Sequence, residues 1–188
     1  MIGNLQVSRL LDFRPSGVQT AANCGITMRA HASSPTDALT LFRHHASSAA
    51  PAPNYYASLL GFRKFDWPHL LREVEQGFAY ETFERLREAA GISMDDVSEW
   101  LQLAPRTLTR RRQQGSFAPD ESDRILRAAR VLGRSIELFD GDRDAAVEWL
   151  KTPQRALGGI PPLVVARTEV GSREVENLIG RIEHGVFS

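Results

Sequence analysis

From about Phe65 onward, apolar residues recur at spacings of three and four, glycines close most of the runs, and strand-type alternation is nearly absent. That period lines one face of an α-helix, so the chain has to fold by packing helices against one another. The longest run covers Asp120–Phe139, where Ile125, Ala129, Leu132, Ile136 and Phe139 share a face ahead of Gly141. Shorter helices are predicted in FDWPHLLREVEQG, closed by Gly77, at Tyr80–Ala90, at Met94–Leu101 and at Arg106–Gln114, closed by Gly115. Ser93 is a fitting N-cap for Met94–Leu101, and Asp95 and Asp96 stand where the helix macrodipole favours acids. Beyond Gly141 the spacing predicts Asp142–Lys151 and a helix opened by Pro161 or Pro162 that runs to about Thr168. After a break at Gly171 it predicts Arg173–His184, capped by Ser172, with Val175, Leu178, Ile179, Ile182 and Val186 as its apolar stripe. The expected class is all-α.

The chain changes character before this region. Residues up to about 60 hold Pro15, Pro35, Pro51 and Pro53, and SSAAPAPN (Ser47–Asn54) reads as a linker. A short helix around Asp37–His45 would put Leu39, Leu41 and Phe42 on one face. Residues 1–64 are therefore expected to be an irregular leader and linker, either a disordered tail or a cap on the next domain. Residues 65–140 would form a helix-turn-helix domain, and 141–188 a small helical domain after it.

Lys+Arg 23 balance Asp+Glu 23, so global charge points neither toward a polyanion nor away from one, and clustering has to decide. Lys64 and Lys151 are the only lysines. Arginine suits forked contacts to phosphates or base edges, and a GC-rich genome would produce the same bias. Cys24 is the single cysteine, which rules out an internal disulfide and fits a reducing compartment. No apolar run approaches the ~20 residues of a membrane span, and no secretory leader is visible; the cytoplasm is the expected location. His31, His44, His45, His69 and His184 show no metal-ligand spacing, and Cys24 has no designated base. Gly158–Gly159 lacks the rest of a phosphate-binding loop and reads as a stop before Pro161. No catalytic residue, metal or cofactor is expected.

Ser93–Gly115, SMDDVSEWLQLAPRTLTRRRQQG, has the layout of a helix-turn-helix. Its first helix carries Val97, Trp100 and Leu101; its short turn lacks the usual glycine; its second helix has one apolar residue, Leu108. Ala104–Gln114 holds Arg106, Arg110, Arg111 and Arg112 and no acid. At about 100° per residue, with Leu108 turned to the core, Thr107, Arg110, Arg111 and Gln114 share an outward face. Arg106 lies on its flank, and Arg112 falls nearer Leu108, within reach of backbone phosphate. Arginine can bridge guanine O6 and N7, glutamine can pair with adenine, threonine can touch a thymine methyl, and a helix fits the major groove. The candidate DNA-contacting set is Arg106, Thr107, Arg110, Arg111, Arg112 and Gln114. A solvated basic face on an ordinary bundle is the open alternative.

Phe83–Ser188 resembles the Xre/MbcA/ParS-type antitoxins of bacterial toxin–antitoxin pairs. The likeness rests on TLTRRR (Thr107–Arg112) with a short turn and a long helix, then WLKTPQRALGGIPPL (Trp149–Leu163), then TEVGSREVENLIGRIEHGV (Thr168–Val186). It implies a non-enzymatic antitoxin with an Xre-like helix-turn-helix followed by a toxin-binding domain. It further implies a cognate toxin, often of the NAD⁺-consuming RES type, whose active-site entrance is covered by the antitoxin's carboxy-terminal end. The complex would also bind operator DNA and repress its own operon; paired half-sites call for a homodimer within that larger complex, and no membrane is involved. Carried onto this chain, the toxin-facing positions are Arg181, Glu183, His184, Gly185, Val186, Phe187 and Ser188. Glu183 or the terminal carboxylate would pair with toxin arginines, and Val186 and Phe187 would fill a pocket. Two other readings stay open on the residues alone: a free-standing helix-turn-helix regulator whose last helices dimerise or sense a ligand, and a helical scaffold with no DNA role.

Overall fold

Helix ends fall where capping chemistry puts them. In the computed structural model, which describes residues 35–47 and 54–185, Asp66 accepts from the His69 N–H, Ser93 from Asp96, Asp142 from Asp144 and Ala145, and Thr168 from Gly171. Each satisfies a donor that the first helical turn leaves unpaired. The helices are α1 (Pro35–Ala46), α2 (Trp67–Gln76), α3 (Tyr80–Ala90), α4 (Met94–Trp100), α5 (Pro105–Gln114), α6 (Pro119–Leu138), α7 (Arg143–Lys151), α8 (Pro162–Val165) and α9 (Glu169–Glu183). A 3₁₀ helix, Tyr55–Leu60, lies between α1 and α2. Among the described residues there is no strand, only isolated bridges at Ala79–Ser116 and Gln154–Ile160. The all-α class expected from the spacing is what is found.

The core is organised around α6. Its twenty residues span about 30 Å, and Ile125, Ala128, Ala129, Val131, Leu132 and Ile136 are all buried. α2, α3, α7, α9 and the 3₁₀ helix pack onto it. Residues placed in the leader by sequence also enter this core. Ala38 and Phe42 of α1, and Tyr55, Ala57, Leu59 and Leu60, are buried. Gly133 permits that approach, because a Cβ there would stand 2.9 Å from Tyr56 Cβ and 3.1 Å from Phe42 Cε2. Asn54 takes the left-handed conformation at φ 63 and donates to the Phe65 carbonyl, which turns the chain toward α2.

One boundary differs from the sequence expectation. Gly171 does not break the chain and Ser172 caps nothing. α9 begins at Glu169, with Thr168 as its cap, and Gly171 lies in its first turn. The glycine is there because α8 ends against it: a Cβ on Gly171 would lie 1.8 Å from the Val165 carbonyl oxygen. The buried Ser172 hydroxyl donates to the Ala166 carbonyl, tying the same corner from the other side. α8 is correspondingly short, ending at Val165 rather than near Thr168.

Two glycines of α9 should therefore respond in opposite directions. Gly171→Ala is expected to lower the urea-unfolding free energy by about 2–3 kcal/mol through overpacking against backbone. Gly180→Ala, with nothing within 4 Å of its new methyl, is expected to raise it by about 0.5–1 kcal/mol through helix propensity. Equal effects at both positions would contradict the close approach of α8.

Candidate functional site

α4 and α5 meet at a turn whose conformation is dictated from outside. Trp100, Leu101 and Leu103 are buried there and anchor it. Gln102 occupies the left-handed region at φ 52, at the place where a glycine is usual; a side chain there costs roughly 1–2 kcal/mol. Arg124 of α6 compensates. Its Nη1 donates to the Leu101 and Gln102 carbonyls at 3.3 and 3.2 Å, and its Nη2 to Asp120 at 2.6 Å. At the far end of α5, the Tyr80 N–H donates to Gly115 and the Phe117 N–H to Phe78, and Tyr80 stacks on Phe117. α5 is thus strung between two fixed points and buries a single side chain, Leu108.

Arg106, Arg110 and Arg112 lie on the solvent side, Thr107 is half-buried, and α5 carries no acid. Ala104, Arg106, Thr107, Thr109, Arg110 and Gln113 line one open concavity of about 620 Å³. The sequence-predicted set does not all gather there. Arg111 turns the other way: its Nη1 donates to Gln114 at 2.8 Å, its Nη2 to Glu121 Oε1 at 3.1 Å, and its Nε lies 2.6 Å from Glu121 Oε2. Gln114 is exposed but follows Arg111 off the face. Gln113 and Glu121 are the residues that sequence reasoning misses. Glu121 is buried and accepts from the Ala118 N–H at 2.8 Å, so it caps α6 as well as holding Arg111. Its place three residues after a helix start, an acid's capping position, is the available signal.

The carboxy-terminal helix is held by a ladder of charge. Arg127 and Arg130 of α6 face Glu169, Arg130 faces Glu176 at 2.7 Å, and Arg134 faces Glu183 at 2.9 Å. Of the positions expected to face a toxin, Glu183 is thus already paired within the chain. Arg181 pairs with Glu174 at 3.1 Å, while His184 and Gly185 are exposed past the end of α9. Val186, Phe187 and Ser188 lie outside the described residues, as do Cys24 and His31. Arg134 also bridges Glu137 at 3.1 Å. Burial, with the Glu183 carboxylate nearby, pushes the Glu137 carboxyl up to about 7. Among the described residues no cluster of three or more His, Cys, Asp or Glu could hold a metal, and no helix is long and apolar enough to cross a membrane.

Comparison with known proteins bears on both surfaces. The family model of the antitoxin Xre-like helix-turn-helix domain matches residues 69–130. That of the antitoxin Xre/MbcA/ParS C-terminal toxin-binding domain matches residues 135–185. The chain is similar to the antitoxin Xre of Yersinia enterocolitica, 39% identical over 120 residues, covering 63% of this chain and 81% of the relative. It is 36% identical over 130 residues to the antitoxin Xre of Photorhabdus laumondii, covering 69% and 88%. More distantly, it is 23% identical over 124 residues to a Prs ADP-ribosylating antitoxin of a Sphingobium species, covering 61% and 78%.

The Glu137 shift fixes a pH dependence. The folded state holds this proton more tightly than the unfolded chain, so the contribution of Glu137 to stability is fully present below 4.5 and is lost as pH rises through about 7. Glu137→Gln removes the charge, and is expected to stabilise the protein at pH 8 by about 1–2 kcal/mol, less than the full shift because Arg134 offsets part of the penalty. The gain should shrink as pH is lowered toward 4.5. Urea midpoints of the two proteins that run parallel across this range would contradict the assignment.

Proposed function

On the premise that the chain belongs to the Xre/MbcA/ParS antitoxin family, we propose that it neutralises a cognate toxin through its carboxy-terminal segment and binds operator DNA through α5. Neutralisation works by binding rather than by catalysis. The segment from Arg181 to Ser188 covers the toxin's active-site entrance, with the residues past α9 entering first. Glu183 has to leave Arg134 if it is to meet a toxin arginine, so His184, Gly185 and the residues after them carry the larger share of the contact. The toxin consumes NAD⁺ and is of the RES type. Support for that chemistry comes from the Sphingobium relative, whose name links it to ADP-ribosylation, a reaction for which NAD⁺ is the donor.

The observation that carries the DNA half is the contrast on α5. In a chain of zero net charge, where most of the described arginines are ion-paired, Arg106, Arg110 and Arg112 stand on the solvent side of a helix without an acid. Such a face neutralises phosphates and releases their counterions, and a recognition helix delivers it to the major groove. A homodimer would present two such helices to paired half-sites. Residues 65–140 serve as the DNA-binding unit and 141–188 as the toxin-binding unit, with α6 the last helix of the first and the support on which α7 and α9 of the second pack.

Two variants should separate the tasks. A chain ending at His184 is expected to lose protection of cells expressing the adjacent toxin gene, with cellular NAD⁺ falling, while still binding a duplex of its own promoter. Arg106→Ala/Arg110→Ala is expected to do the reverse, protecting cells fully while promoter affinity drops at least about tenfold at roughly 150 mM salt. Full protection by the shortened chain would overturn the covering role of the tail. Undiminished promoter binding by the double variant would overturn the DNA role of α5.

A further inference from the structure

Arg111 stands at the middle of the most basic helix, yet each of its three guanidinium nitrogens lies against an acceptor inside the protein. Those acceptors are the Gln114 amide oxygen at 2.8 Å and both Glu121 carboxylate oxygens at 3.1 and 2.6 Å. The Arg111 side chain is 18% exposed and that of Glu121 7%. Glu121 in turn is fixed to the backbone of α6 by the Ala118 N–H. This carboxylate cannot move without uncapping the helix that forms the centre of the core.

How little else holds α5 gives this pair its weight. A helix that buries one side chain is free to roll about that anchor, and α5 buries only Leu108. Arg111 lies about 60° around the helix from Leu108 at ~100° per residue. Leu108 and the Arg111–Glu121 pair together are therefore two anchors at different angles, and two anchors define a roll. With that roll set, the side of α5 opposite Leu108 belongs to Arg106, Arg110 and Gln113, which fall within about 60° of one another. Arg106, Arg110 and Gln113 line the same concavity.

Resting on the operator-binding reading above, we infer that Arg106, Arg110 and Gln113 read base edges in the major groove, and that Arg111 and Glu121 are positioning residues that aim them and touch no DNA. The ligand chemistry is then specific. Two arginines suit guanine O6 and N7, and one glutamine suits adenine N6 and N7, so each half-site carries guanines and an adenine on the strand facing α5. A largely buried ion pair is suited to this work because breaking it leaves a buried charge unsatisfied, which penalises any other roll.

The test uses the full chain and two duplexes, one spanning its own promoter and one of scrambled sequence, titrated over a range of KCl. Glu121→Gln, which keeps an acceptor for the Ala118 N–H, and Arg111→Ala are both expected to lower the promoter-to-scrambled affinity ratio about tenfold. Both should leave the salt slope unchanged, and the double variant should lose no more than either alone. Arg110→Ala and Gln113→Ala should also collapse the ratio. Circular dichroism at the assay temperature confirms that each variant is folded, and Arg111→Met supplies a second variant if Arg111→Ala is not. If Glu121→Gln binds the promoter as tightly as wild type or tighter, while Arg111→Ala flattens the salt slope by about one, Arg111 is a phosphate contact and the inference fails. It fails equally if the ratio survives in Arg110→Ala and Gln113→Ala. A wild-type chain that does not distinguish the two duplexes would instead overturn operator binding itself.

Discussion

A helix buried along most of its length has to be covered on every side, and α6 imposes that demand on the rest of the chain. Ile125, Leu132 and Ile136 are fully enclosed, as are Ala129 and Val131 on neighbouring faces, and each large side chain so buried contributes about 1.5–3 kcal/mol. α2, α3, α7, α9 and the 3₁₀ helix supply most of the cover, and Phe42 of α1 adds to it. Small residues decide how closely the cover can approach: Gly133 admits Tyr56 and Phe42. The two family matches, 69–130 and 135–185, meet within this helix. The domains named by those matches therefore share a structural element, and the boundary between them is not a linker.

Charge on α6 is used for registration more than for stability. Arg127, Arg130 and Arg134 stand one turn apart on α6, and Glu169, Glu176 and Glu183 stand two turns apart on α9, so the long arginine side chains fan out to reach the wider-spaced row. Partly exposed pairs of this kind are worth about 0–1 kcal/mol each. A slip of α9 by one turn would nevertheless set several of them against the wrong partners. The Arg111–Glu121 pair at the opposite end is more enclosed, and its loss would be felt more sharply because a buried carboxylate has little water to replace a lost partner.

Most of the fold is legible in the sequence because a helix announces itself locally. The ends of α3, α5 and α7 agree with expectation to within a residue, since the apolar period and the Gly91, Gly115 and Asp142 signals all lie inside or beside the segments they delimit. The misreadings share one cause, which is that a residue's reason lies in another element. Gly171 has the look of a stop, but it is small because the Val165 carbonyl is there. Tyr55–Leu60 is too short to show a period and acquires its burial only by docking on α1, α3 and α6. Gathering the arginines of α5 on one outward face sets Arg111 too far from the core. A wheel centred strictly on Leu108 puts Arg106, Arg110 and Gln113 outermost and leaves Arg111 beside the core, where Glu121 stands ten residues further along the chain.

A zero net charge conceals how unevenly the charge is spent. The arginines of α6 are consumed by acids of α6 and α9, Arg167 by Glu99, and Lys151 by Asp96. These pairings remove as much negative charge as positive from the surface, so the bulk balance is unchanged while α5 keeps an excess of cations. A field built this way is short-ranged. Beyond a Debye length of about 8 Å at physiological salt the molecule looks neutral, and it would not be drawn to polyanions from a distance as a uniformly basic protein is. Under the operator-binding proposal, affinity for a duplex would depend on α5 being seated in the groove, where Arg106, Arg110 and Arg112 would act within contact distance. Such an arrangement favours fit over general attraction, and under that proposal the roll of one lightly anchored helix would be the quantity on which recognition turns.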